Sequence, residues 1–227
     1  MNKPMADTKF KAQVRSFFLH GPAGRLEALL NTGAGNPTHA AVVCHPHPLY
    51  GGTMHNKVVF HAMKALNGFG FPVLRFNFRG AGLSQGKHDF GQGEVQDVQS
   101  ALDWLYAEFR VPIVFAGFSF GAATGLKAAC PDPRAVAVIS LGTPIQIEDR
   151  AYGYEFLQAC RKPKLLVSGS RDLFAPRASL ESLVATLPEP KRLILIDDAD
   201  HFFAAHLDEL RQAIAGWVGA TLTAPEI

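Results

Sequence analysis

Apolar residues fall along this chain in two rhythms. Val14 to His20 and Arg25 to Leu30 are short strand-like runs separated by Gly21-Pro22-Ala23-Gly24, a segment with turn chemistry, so the pattern predicts an opening antiparallel hairpin. After it, short apolar runs without polar alternation recur at Ala40 to Cys44, Val73 to Phe78, Ile113 to Ala116, Ala135 to Leu141, Leu165 to Val167 and Leu193 to Ile196. Such runs read as strands covered on both faces. Between them lie segments of helical length, about Met54 to Leu66, Glu94 to Phe109, Gly121 to Ala129, Ala178 to Leu187 and His201 to Leu222. In the second of these, Val95, Val98, Leu102, Leu105 and Phe109 recur every three or four residues and mark one buried helix face. Strand then helix, repeated, requires parallel crossovers. The expected architecture is therefore α/β: a mostly parallel, doubly wound sheet of about eight strands with an N-terminal antiparallel hairpin.

Length and composition narrow the picture further. The chain has 227 residues, which suits one large domain, and no repeat, low-complexity tract or Ser/Gly-rich linker divides it. Residues 1–227 are read as a single domain, with 1–10 and 223–227 frayed. With 22 Lys+Arg against 20 Asp+Glu and no long basic run, nothing predicts a nucleic-acid partner. No apolar stretch reaches a signal peptide or a membrane span. The odd, widely spaced set Cys44, Cys130 and Cys160 resembles neither a disulfide framework nor a zinc site, so a cytoplasmic setting is expected. Self-association is left open.

Chemistry concentrates at strand ends. Ile113-Val114-Phe115-Ala116 runs into Gly117-Phe118-Ser119-Phe120-Gly121 and then into small, helix-tolerant residues, which is G-x-S-x-G in a strand-turn-helix context. A strand turning sharply into a helix puts the central residue in strained backbone geometry and presents Ser119 Oγ above the sheet. Phe120 N–H, at the positive end of the following helix, is then the natural first donor to an oxyanion. The five-residue pattern alone is equally a tight strand-to-helix joint, so context decides. A serine needs a base, and the base needs an orienting carboxylate. Leu165-Leu166-Val167 leads into Ser168-Gly169-Ser170-Arg171-Asp172, and Leu193-Ile194-Leu195-Ile196 leads to His201. Each member of the order Ser119, Asp172, His201 thus follows its own strand and can converge on the carboxyl edge of the sheet. Asp197, Asp198 and Asp200 crowd His201 and read as turn residues, with Asp198 the substitute acid.

These motifs resemble the α/β-hydrolase superfamily over nearly the whole chain. His45-Pro46-His47-Pro48-Leu49-Tyr50-Gly51-Gly52 falls where that family places its oxyanion loop. Arg75-Phe76-Asn77-Phe78-Arg79-Gly80-Ala81-Gly82-Leu83-Ser84 is similar to its D-x-R-G-x-G-x-S segment, with Asn77 where Asp is commoner, and Gly169-Ser170-Arg171-Asp172 with Pro176 matches its acid loop. The combination looks most similar to small lidless bacterial serine hydrolases related to dienelactone hydrolases and to prolyl-oligopeptidase-like catalytic domains. The resemblance implies an α/β-hydrolase fold without a large cap and a Ser119-His201-Asp172 triad. Ser119, where dienelactone hydrolases have Cys, argues for ester chemistry. Aligning H-G-x-P on His45-Pro46-His47-Pro48 makes His47 N–H the second oxyanion donor, with Leu49 and Tyr50 next in line.

Other readings of the same residues compete. His45, His47, His55 and His61 lie close in sequence, and H-x-H at a strand end can bind metal. The loop-shaping reading is preferred, because Ser119 and Asp172 occupy the places where further ligands would be needed, so no metal and no cofactor are expected. Gly80-Ala81-Gly82-Leu83-Ser84-Gln85-Gly86-Lys87 follows a strand but fits neither dinucleotide nor Walker spacing. The insertion from Gly142 to Pro163 has room for about one helix plus loops, so the site should be open, with Leu49, Tyr50, Phe118, Phe120, Phe174 and Phe202 as candidate pocket walls. The reading is a serine esterase acting on small-molecule esters, without nucleic-acid or membrane partners. A prolyl-oligopeptidase-like peptidase, a lactone or thioester hydrolase, and a non-catalytic ligand receptor on the same fold are the alternatives.

Overall fold

The computed structural model describes residues 13–147 and 150–222; the two termini expected to fray lie outside the described residues. Eight strands form one sheet: β1 (Val14–Gly21), β2 (Gly24–Asn31), β3 (Ala40–Cys44), β4 (Val73–Phe76), β5 (Ile113–Phe118), β6 (Ala135–Leu141), β9 (Lys164–Gly169) and β10 (Lys191–Ile196). Their order is β1-β2-β4-β3-β5-β6-β9-β10. β1 pairs antiparallel with β2 and β2 antiparallel with β4, and every later pairing is parallel. The sequence rhythm explains this division. β2 alternates, burying Leu26, Ala28 and Leu30 on one face, as expected near a sheet edge, whereas β3, β4, β5 and β9 are buried throughout.

Five helices cover the two faces. α1 (Lys57–Asn67) and α5 (Leu207–Leu222) pack on one face over Val43, Val114, Ala116 and Val167. α2 (Gln92–Phe109), α3 (Phe120–Ala129) and α4 (Arg177–Thr186) pack on the other over Val42, Cys44, Phe115 and Val138. From β3 the chain moves outward to β4 and then returns to the far side of β3 as β5, so the order reverses beside β3 and β5. Ligand sites in open α/β sheets lie outside the carboxyl ends of the strands at such a switch point.

Several element boundaries differ from the sequence expectation, each for a local reason. α1 starts at Lys57 because Asn56 Oδ1 accepts the Val58 N–H at 2.9 Å as an N-cap. β4 stops at Phe76: the Asn77 N–H still reaches Glu27 O of β2, but Asn77 O accepts from Ser84 Oγ and the Phe78 N–H donates to His45 Nε2 instead of a strand. α5 starts at Leu207 rather than His201, since Phe203 (φ 53°) and Ala205 (φ 62°) hold left-handed backbone that no α-helix contains, and Asp200 Oδ1 accepts the N–H groups of Phe202 and Ala204 in a turn. Among its described residues the insertion after β6 holds no α-helix: it has a two-strand pair, β7 (Gln146–Ile147) with β8 (Arg150–Ala151), followed by a 3-10 turn over Glu155–Ala159. The turn ends where Cys160 takes extended backbone, with φ −80° and ψ 106°. No helix among the described residues is long and apolar enough to cross a membrane.

Candidate active site

The turn from β5 into α3 is the centre of the site. Ser119 has φ 54° and ψ −118°, a strained conformation for a residue with a side chain. It is held by its own N–H donating to Leu141 O at 2.9 Å, and by its carbonyl accepting from Ala122 and Ala123. The flanking glycines are required by close approach. A Cβ on Gly117 would lie 2.5 Å from Gly121 O, and one on Gly121 would lie 2.4 Å from His45 O, so the turn packs directly onto the end of β3. Ser119 is only 5% exposed, at the base of a cavity.

Two further strand ends complete a chain of hydrogen bonds. His201 Nε2 is 2.9 Å from Ser119 Oγ, and His201 Nδ1 is 2.9 Å from Asp172 Oδ2. Asp172 also accepts from Ser168 Oγ at 3.1 Å, Phe174 N at 2.9 Å and Ala175 N at 3.2 Å. With every neighbour donating to this carboxylate, the Nδ1 proton of His201 points at Asp172 and Nε2 is left to accept from the serine hydroxyl. Phe174 and Phe202 meet the His201 ring edge-on at 4.6 and 5.2 Å, and Phe118 lies beside it at 5.1 Å, so aromatic rings surround the buried imidazole.

The sequence-predicted acid is thus beside the histidine and its substitute is not. Asp198 pairs with Arg171 at 2.7 Å, both side chains 70% exposed, and Asp200 caps its own turn.

The loop after β3 forms the opposite wall. His45 is fully buried: its Nδ1 bonds Pro46 O at 2.6 Å and its Nε2 accepts the Phe78 N–H at 3.0 Å, tying the end of β3 to the end of β4. Desolvation by burial lowers its pKa from the ordinary imidazole value to about 4, so it is neutral at physiological pH. With both nitrogens bonded to backbone, His45 is a loop-shaping residue. His47 lines the cavity with its ring 4.8 Å from that of Phe120. Of the other two loop positions considered for an oxyanion donor, the Leu49 N–H donates to His47 Nδ1 and the Tyr50 N–H to His47 O. Both are directed into the loop, which removes them as candidates.

Asn77 supports this loop from below. Its Oδ1 accepts the Met54 N–H at 2.8 Å while its Nδ2 donates to Glu27 Oε2 at 2.7 Å. An aspartate could accept the first bond but could not donate the second to a carboxylate, which accounts for Asn at this position. Beyond it, Gly80 N bonds Gln85 O, Ser84 N bonds Ala81 O and Gln85 N bonds Arg25 O, so these N–H groups serve the loop itself rather than a phosphate.

The cavity has a volume of about 350 Å³. Tyr50, Phe120, Phe174 and Phe202 wall it as expected. Two expected members do not. Leu49 is 66% exposed and points away, and Phe118, the last residue of β5, alternates to the α1/α5 face and is fully buried there. Tyr152 and Asn56 also line the cavity, beyond the walls that the sequence pattern predicts. Tyr152 comes from the insertion, where no periodic signal places a side chain. Asn56 had a signal as a helix N-cap, though none as a wall.

Comparison with known proteins decides the family. Residues 39–213 match the alpha/beta hydrolase domain family. The chain belongs to the alpha/beta hydrolase family. An uncharacterized protein of Rickettsia prowazekii is 37% identical over 204 residues, covering 87% of this chain and 85% of that protein. Among solved structures, an alpha-beta serine hydrolase homologue from Coxiella burnetii is 36% identical with a TM-score of 0.83, covering 90% of this chain and 97% of that one. A Xanthomonas campestris alpha/beta serine hydrolase described as lacking a lid is 32% identical with a TM-score of 0.83, covering 96% and 99%. The short insertion after β6 agrees with a lidless alpha/beta hydrolase: in this chain it supplies one side wall, Tyr152, and no large cap.

Proposed function

We propose that this alpha/beta hydrolase is a serine esterase that cleaves small carboxylic esters through an acyl-enzyme, with Ser119 as nucleophile, His201 as base and Asp172 as its orienting partner. The observation that carries the reading is the relay of two 2.9 Å hydrogen bonds opening into an aromatic cavity. Ser119 Oγ attacks the ester carbonyl as His201 Nε2 takes its proton, and Asp172 stabilises the imidazolium that forms. The charge that develops on the carbonyl oxygen faces the N-terminus of α3, where Phe120 N–H is the first donor and His47 N–H, on the facing wall, the second. His201 then protonates the departing alcohol, and water, activated by the same imidazole, releases the acid. A complete relay lining a cavity favours catalysis over a receptor role. An open cavity without a large cap favours short acyl groups, because binding energy used in the transition state must come from contacts near the acyl carbon. Free thiols at Cys44, Cys130 and Cys160 fit a cytoplasmic setting.

The test is turnover of p-nitrophenyl esters of increasing acyl length with a chelator present, together with labelling by a fluorophosphonate. Acetate or butyrate should be cleaved fastest, and the probe should add once per chain, at Ser119. Labelling of Ser119→Ala at the wild-type rate, or loss of turnover on chelation, would overturn the proposal.

A further inference from the structure

Away from the Ser119 cavity, two thiols from distant parts of the chain meet. Cys130 closes α3, its N–H donating to Leu126 O at 2.9 Å, and Cys160 closes the 3-10 turn of the wall segment, its N–H donating to Leu157 O at 3.0 Å. The two thiols are close enough for each to act on the other's ionisation, and both are reduced. They share a second cavity of about 410 Å³ with Lys127, Pro131, Phe156 and Ala159. Lys162 braces the arrangement: its Nζ donates to Ala129 O at 2.7 Å and to Asp132 O, and its backbone and charge act on the Cys160 thiol. Lys164 lies close enough to add a second positive charge, its Nζ on Pro188 O at 2.9 Å.

We propose that Cys130 and Cys160 form a redox-active dithiol site, converted to a Cys130–Cys160 disulfide by small hydroperoxides that enter this second cavity. The two side chains line one cavity and act on each other's ionisation, which makes them neighbouring thiols from distant parts of the chain. Cys160 is the attacking sulfur. The Cys130 thiol, then the Lys162 backbone and the charges of Lys164 and Lys162, hold its pKa below the ordinary thiol range against the opposing effect of burial, while the Cys130 thiol is pushed up. The Cys160 thiolate attacks one peroxide oxygen and the O–O bond breaks. Cys160 becomes a sulfenic acid, and the other oxygen takes a proton and leaves as water or an alcohol. The Cys130 sulfur, losing its proton, then displaces the sulfenic oxygen as water and forms the S–S bond. Overall, two thiols and one hydroperoxide give one disulfide, one water and one alcohol or second water, with the two electrons passing from the sulfurs to the peroxide. The bond joins the end of the nucleophile helix to the segment that carries Tyr152. Cys44 is an internal control, since it is fully buried in the sheet, where burial first and Asp97 second raise its pKa.

The full-length protein is treated with stoichiometric hydrogen peroxide, then unfolded, alkylated and measured by mass spectrometry. The expected product is two hydrogens lighter, carries a Cys130–Cys160 linked peptide, retains Cys44 as its one alkylatable thiol, and returns to three thiols with dithiothreitol. In Cys130→Ser the reaction should stop at a Cys160 sulfenic acid that dimedone traps, and in Cys160→Ser no disulfide should form. Wild-type protein that keeps three alkylatable thiols, or dimedone labelling of Cys44 in Cys130→Ser as fast as Cys160, would overturn the proposal. The wild-type measurement depends on neither variant folding.

Discussion

His45 and His201 are buried histidines at the carboxyl end of one sheet, each with both ring nitrogens hydrogen-bonded, and their surroundings give them opposite capacities. The partners of His45 are backbone groups, Pro46 O and Phe78 N–H, so one tautomer is locked and a second proton has nowhere favourable to go. The partners of His201 are the side chains of Asp172 and Ser119. One is a carboxylate that can stabilise an imidazolium and the other a hydroxyl that can release a proton, so in the proposed mechanism the same ring is the base. Burial alone therefore does not mark a catalytic histidine in this fold. What marks it is a polar partner on each side whose own proton or charge can change.

The strongest test of this contrast is to remove members of the His201 chain. Ser119→Ala and His201→Ala should each lower kcat on a short activated ester by about six orders of magnitude, and the double variant by little more, because the members act as one unit. Asp172→Asn, which reverses the tautomer, should cost about four orders. Additive losses in the double variant would break the assignment.

The His45 side predicts a stability effect with a definite sign. Its folded pKa of about 4 lies below the ordinary 6.5, so the unfolded chain binds a proton that the folded one refuses. Above pH 6.5 the group contributes no pH dependence. As pH falls from there to 4 the folded state loses stability, on the order of 2 kcal/mol by pH 5, and below 4 the loss levels off. Urea midpoints at pH 7 and pH 5 measure it, and His45→Gln should flatten this part of the profile. An unchanged slope would mean that another group carries it.

A smaller effect is expected where Asn77 joins the His45 loop to Glu27. Asn77→Asp sets two carboxylates against each other and should destabilise the fold by about 1 to 2 kcal/mol at neutral pH, with part of that recovered in mild acid. Equal stability at both pH values would contradict the account of why Asn stands there. The smallest effect should come from Asp198→Ala, which breaks a surface ion pair with Arg171 and should change stability by no more than about 0.5 kcal/mol, leaving kcat untouched. A large drop in kcat would return Asp198 to candidacy as the orienting acid.

Much of this architecture is legible from local pattern. The hairpin, the buried strands and the order Ser119, Asp172, His201 follow from residue type and spacing, because a strand covered on both faces must be apolar throughout and a strand-to-helix nucleophile turn must have small neighbours. Helix starts were less legible. The left-handed residues Phe203 and Ala205 and the cap at Asp200 interrupt a run whose composition alone reads as helix. Leu49 and Phe118 were misplaced for a different reason, since an apolar residue near a strand end satisfies the same pattern whether it faces solvent, the core or a cavity.

What the linear chain determines by itself is therefore which segments are strands and helices, and which residue types stand at the strand ends, since these depend on side-chain volume, polarity and backbone freedom within a few positions. Which of those strand-end residues meet is decided by tertiary structure. Asp172 rather than Asp198 reaches His201 because β9 and β10 lie side by side with their loops turned toward β5, and Asn77 reaches Glu27 because β4 pairs with β2. Cys130 and Cys160 meet because the wall segment folds back on the end of α3. Each of these is a distance of a few ångströms between residues far apart in the chain, and hydrogen bonding and proton transfer respond to that distance.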